Sequence, residues 1–181
     1  NQFETLERAA ERYRPLVVWG GYRKGQVHCS VGSDNIAGGD LAATHLIERG
    51  CSNIAFFGDP TALETAQRLE GCTAAMDRAG LSNKLSLLPA HLADDPTDTA
   101  IAEFLMQAND RPDGIFVASD VIAMSALRTL AEMEISVPGD IKVVGYYNGE
   151  YALGPEQSGV AALLAANPQV DGILTQGYGS G

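Results

Sequence analysis

The chain has 181 residues, 45% hydrophobic and 19% charged, enough for one ordinary domain or two small lobes with a real core. Twelve Lys and Arg against 23 Asp and Glu give a net charge of −11, a surface that repels phosphate backbones and argues against DNA binding by this stretch alone. No run approaches the roughly 20 apolar residues of a membrane span, and no signal peptide is visible in the polar opening NQFETLERAAERYRP.

Residues 1–14 predict a helix with Phe3, Leu6, Ala9, Ala10 and Tyr13 on one face, ended by Pro15. LVVWG over 16–20 predicts a strand, GYRKG a turn, and VHCSVG over 27–32 a second strand. Ser33, Asp34 and Asn35 are suited to cap the next helix, whose apolar positions Ile36, Leu41, Ala42, His45, Leu46 and Ile47 run to Gly50 at C′. NIAFFG over 53–58 predicts a third, buried strand. A helix over 66–79 follows, burying Leu69, Cys72, Thr73 and Met76, and Gly80 closes it. LSLLPAHL over 85–92 is a fourth strand in which Pro89 limits pairing, and DDPTD opens a helix over 97–107.

Residues 115–118 then predict a strand, with Ser119 and Asp120 at the start of a helix whose periodic positions are Val121, Met124, Leu127, Leu130 and Ala131. Pro138 and Gly139 stop it, and IKVVG over 141–145 is another apolar strand. Beyond residue 148, residues 143–177 echo residues 85–119 at a constant offset: Asp113-Gly114-Ile115 returns as Asp171-Gly172-Ile173, and Ala108-Asn109 as Ala166-Asn167. The echo predicts one more βα unit, with a helix over about 154–166 and a strand near 172–175, before a Gly-rich tail. The whole pattern is βαβα, so the expected fold class is α/β, a doubly wound and mostly parallel sheet of six or seven strands, like a periplasmic-binding-protein or flavodoxin lobe. Ligands of such sheets sit at the carboxyl ends of the strands.

Motifs for catalysis are missing from the sequence. GxGxxG, GxxxxGK[ST] and GxSxG do not occur, and no HExxH or Cys/His cluster supports a metal, so neither cofactor nor metal is expected and the chain does not read as an enzyme. Asp94, Asp95 and Asp98 read as acids at a helix start. Cys29, Cys51 and Cys72 are odd in number and widely spaced, which fits small partly buried residues in a reducing, cytoplasmic compartment.

Three stretches carry a resemblance: VGSDNIAGGDLAATHLIERGCSNIAFFG, AQRLEGCTAAMDRAGL and RPDGIFVASDVIAMSALRTLAEMEISVPGDIKVVGY. Together, over residues 31–146, they resemble the effector-binding core of the lactose/galactose repressor (LacI/GalR) family. The resemblance implies a two-lobed, periplasmic-binding-protein-like core that takes a small effector, a sugar or related molecule, between its lobes. It also implies a homodimer joined through the cores. Residues 1–50 resemble only the last portion of the first lobe, 51–147 the second lobe, and 148–181 an added βα segment similar to periplasmic sugar-binding proteins. The two patterns join near VVG, as in a chimera or a domain with an unrelated ending. No helix-turn-helix headpiece is present. A periplasmic-type carbohydrate-binding fragment and a scaffold without ligand are the alternatives.

By the resemblance, Arg68 is the effector-gripping arginine, set against a reading as a solvated helix arginine. Ser119 stands where the family has a polar ligand contact, and Asp120 could accept from a sugar hydroxyl; both also suit helix capping. Tyr147 and Asn148 replace the acidic pair that usually follows VVGY. Trp19, Tyr146 and Tyr151 could stack on a ligand or pack internally. The implied partner is a small-molecule effector, with no DNA bound by this stretch and no membrane.

Overall fold

The runs IAFF and GIFV become central strands because no position in either can face water without loss: all eight residues are buried. Alternate residues point to opposite faces of a sheet. Ile54, Phe56, Phe116 and Ala118 pack on one side, against Ala42, Ala43, Leu46, Cys72, Ala75 and Met76. Ala55, Phe57, Ile115 and Val117 pack on the other, against Ile101, Leu105, Ile122, Ala126 and Leu130. Phe56 and Phe116 meet edge to face at 5.0 Å.

The structure, a computed structural model, describes residues 2–12, 16–90, 97–147 and 174–175. In chain order the elements are α1 (Gln2–Arg12), β1 (Val17–Trp19), β2 (Cys29–Val31), α2 (Asn35–Glu48), β3 (Ile54–Phe57), α3 (Leu63–Arg78), β4 (Leu85–Leu88), α4 (Thr97–Gln107), β5 (Gly114–Val117), α5 (Asp120–Glu132), β6 (Lys142–Tyr147) and β7 (Leu174–Thr175). The expected single sheet is two: β1 and β2 pair alone, and the others form a five-stranded sheet in the order β4-β3-β5-β6-β7. Every pair is parallel. α2 and α3 cover one face and α4 and α5 the other, which makes the sheet doubly wound. β7 pairs with Tyr146 and Tyr147 of β6, while the helix expected over 154–166 lies outside the described residues.

Three helices differ in detail from the sequence expectation. α3 begins at Leu63 and buries Arg68, Gly71, Cys72, Ala75 and Met76; Thr73 is exposed and Leu69 only half-buried. α2 buries Asn35, Gly39, Ala42, Ala43 and Leu46, leaving Ile36 and Leu41 exposed. The reason is the same for both. The two helices approach backbone to backbone through Gly39 and Gly71, so the glycines face inward where the helices meet. On α5 the buried stripe is Ile122, Ala126, Thr129 and Leu130, one position round from the expected one, and Val121 and Met124 are exposed. Two stripes of similar hydrophobicity were available, and packing against α4 and the sheet selected the one with the smaller side chains. Gly50 does take the C′ position after α2, at φ 86°.

The amino ends of the strands are tied by Asp113. Its carboxylate accepts from the backbone N–H of Ser52 at 2.9 Å and of Asn53 at 3.0 Å, fixing the entrance of β3 against that of β5. In the middle of the chain's first helix, Glu7 of α1 accepts from the Val27 N–H at 3.0 Å and pairs with the ring of buried His28, which docks α1 onto the β1–β2 pair.

The Thr129 hydroxyl is buried without a hydrogen-bond partner among the described residues. A buried unsatisfied hydroxyl costs about 1–3 kcal/mol, and valine has nearly the same shape. Thr129→Val is therefore expected to raise stability by about 1 kcal/mol, measured as a higher urea midpoint at unchanged m. A lower midpoint would show that the hydroxyl is satisfied.

Candidate functional site

The chain leaves β3 for β4 at the sheet edge and then returns to β5 on the other side of β3. Loops from the carboxyl ends of β3 and β5 therefore diverge, and such a switch point is where open parallel sheets leave a crevice for ligands. Arg68 stands at this point. It lies on the second turn of α3, the helix that follows β3, and is 4% exposed. Its Nε donates to Asn35 Oδ1 at 2.9 Å and its Nη1 to the carbonyl of Ala118 at 2.6 Å. Ala118 directly follows β5. One guanidinium thus joins the start of α2, the body of α3 and the end of β5. The solvated-arginine reading is excluded, since the planar fork is used inside the fold.

Asn35 corrects a second expectation. Asp34 caps α2, accepting from the Ala37 N–H at 2.9 Å, but Asn35 does not cap. It is 4% exposed; its amide donates to the Ser33 carbonyl at 3.3 Å while its oxygen receives Arg68. The sequence offered one usable signal for this, a second polar residue directly behind a sufficient cap.

Ser119 caps α5: its hydroxyl accepts from the Ile122 N–H at 3.3 Å. Asp120 opens that helix, half-buried, and accepts from the Val121 N–H at 2.9 Å. Tyr147 ends β6, and the pairing of Gly145 with Val117 puts Tyr147 level with Ser119 on the neighbouring strand. Backbone placement thus gathers Arg68, Ser119, Asp120 and Tyr147 at the carboxyl end of the sheet, while Asn148 lies outside the described residues. Trp19 is elsewhere, 53% exposed on β1, and Tyr151 is outside the described residues.

Other titratable groups near the core are structural. Burial pushes the Cys72 thiol up to about 12 and the Cys51 thiol up to about 11, so neither is a nucleophile near neutral pH; Cys29 is exposed. Asp98 accepts from Arg128 at 2.8 Å across α4 and α5. Hydrogen bonds from Ser125 and Arg128 hold its carboxyl below the ordinary range. Asp94 and Asp95 lie outside the described residues. No described helix is long and apolar enough to cross a membrane.

Comparison with known proteins bears on the family and the fold. The periplasmic binding protein-like domain matches residues 43–161. The HTH-type transcriptional repressor PurR of Edwardsiella ictaluri is 34% identical over 151 residues, covering 80% of this chain and 44% of that protein. The ribose operon repressor of Escherichia coli K12 is 34% identical over 129 residues, covering 66% of this chain and 36% of that one. The chain thus spans less than half the length of these relatives. A LacI transcriptional regulator from a Rhodococcus species superimposes with a TM-score of 0.70 at 28% identity, over 97% of this chain and 70% of that one. The chain belongs to the periplasmic binding protein-like domain family, and its relatives within that family are transcriptional regulators of the LacI type.

Proposed function

We propose that this chain is the effector-binding core of a cytoplasmic LacI-type transcriptional regulator, taking a small sugar-like molecule at the carboxyl ends of β3, β5 and β6. Arg68 carries the proposal: a buried guanidinium at the topological switch point, bonded to the carbonyl next to Ser119. Side-chain oxygens of Ser119 and Asp120 supply hydroxyl-binding groups near it, and the family resemblance adds Tyr147 and Asn148 to the set. The names of the relatives, among them a ribose operon repressor, support a sugar. The chain acts by binding and not by catalysis, forms a homodimer, and relies on polypeptide outside residues 1–181 for DNA contact, in keeping with its net charge of −11.

A monosaccharide panel that includes D-ribose, followed by thermal shift, tests this. Binding to the folded state alone raises Tm by mass action. The expected result is a saturable shift with Kd on the order of 0.1–1 mM, weak because only part of a two-lobed cleft surrounds the ligand. No shift with any sugar at about 10 mM would overturn the proposal.

A further inference from the structure

One flank of α5 carries an apolar stripe that the described residues leave open. On a helix, Ala123, Leu127 and Ala131 fall in one row, with Met124 beside it. Ala123 and Leu127 are half-buried, Ala131 is exposed and Met124 is 62% exposed. The opposite flank is engaged, since Ser125 and Arg128 both bond to Asp98 of α4. Sheet order says which strand the open flank faces. The crossover through α4 runs from β4 past β3 to β5, and that through α5 from β5 to β6, both over one face. β7 is the next strand in the same direction and is parallel to β6. A right-handed crossover from β6 to β7 therefore passes over the same face, beside α5 on the side away from α4. Residues 148–173 make that crossover and lie outside the described residues.

We infer that residues 154–166 form a helix that docks on the Ala123, Leu127 and Ala131 row of α5, so that the chain covers this flank itself. Three observations support that occupant. Val160, Leu163 and Leu164 have helical spacing, Pro155 suits a first turn, and Asn167-Pro168 suits an end. Residues 143–177 echo 85–119, and in the echoed stretch α4 packs on the other flank of α5 with Leu105, the counterpart of Leu163, buried. β7 is seated on β6, which anchors the far end of the segment at the sheet. The fit is of large residues, Val160, Leu163 and Leu164, against the small ones at 123 and 131. A second copy of the chain must then join the molecule away from this flank. The inference stands whether or not an effector binds.

The test uses the full chain carrying Cys29→Ser, which removes the exposed thiol; Cys51 and Cys72 are buried and stay out of the reaction. Leu127→Cys and Leu163→Cys are added, unlabelled and isotope-labelled chains are mixed, and a short bismaleimide is applied. Mass spectrometry is expected to find the 127–163 link within single chains. Links joining a labelled to an unlabelled chain would show that a second copy covers α5, and would overturn the inference. So would a link formed instead by Leu41→Cys/Leu163→Cys, because Leu41 is exposed on α2 over the other face of the sheet. Hydrogen exchange gives a second reading without cysteines. The amides of residues 160–166 are expected to be protected in the parent, and Leu127→Asp to lower that protection at least about tenfold while β3 and β5 stay protected. Absent protection in the parent, or protection unchanged by Leu127→Asp, overturns the inference.

Discussion

Gly71→Ala is expected to destabilise the chain by about 3 kcal/mol or more, although alanine is the better helix former by about 1 kcal/mol. An added Cβ at Gly71 would stand 2.0 Å from the Ile36 carbonyl oxygen and 2.7 Å from the Asp40 nitrogen. The contact is mirrored on the other helix, where a Cβ at Gly39 would stand 2.0 Å from the Arg68 carbonyl oxygen. Both obstacles are backbone, so no rotamer change relieves them, and α2 must move away from α3. That motion would pull Asn35 from Arg68 and open the crevice as well as the core. Gly39→Ala should act alike, and the double variant should cost less than the sum, because one separation of the helices accommodates both. Urea unfolding measures the loss; Thr73→Ala, on the exposed side of α3, should stay within about 0.5 kcal/mol of the parent. A Gly71→Ala chain as stable as the parent would mean that the helices do not meet through these glycines.

Arg68→Ala is expected to make effector binding undetectable and to lower stability. Charge-assisted hydrogen bonds contribute about 1.5–3 kcal/mol, and an affinity near 1 mM has no such margin to lose. The stability loss has a separate origin: the Ala118 carbonyl and the Asn35 amide would lose the donor they share inside the fold. Arg68→Lys distinguishes the two, because an ammonium carries the charge but cannot span both acceptors as the planar fork does. It should recover part of the binding and little of the stability. Arg128→Ala removes the exposed pair with Asp98 and a long hydrogen bond to Ser125, and binding should stay at the parent value. Titrations in which Arg68→Ala binds as tightly as Arg128→Ala would remove Arg68 from the site.

The order and kind of the described elements follow from local pattern. IAFF and GIFV could only be strands buried on both faces, Thr97–Gln107 appears as a helix with the bounds its pattern predicts, and Asp34, Ser119 and Gly50 cap where their chemistry suits them. These are local facts, set by periodicity and by which side chain can satisfy a free N–H two or three residues away. The resemblance brought Arg68 forward as a site residue. Which stripe of each helix faces inward was set by packing between distant segments. On α5, Val121 and Met124 lose to Ala126 and Thr129, and between α2 and α3 Gly39 and Gly71 displace larger residues, because the closeness of a neighbouring backbone is invisible in a hydropathy pattern. The bond from Arg68 to Asn35 spans 33 residues and that to Ala118 spans 50. No local spacing encodes such a meeting; it exists because β3 and β5 lie side by side with β4 outside them.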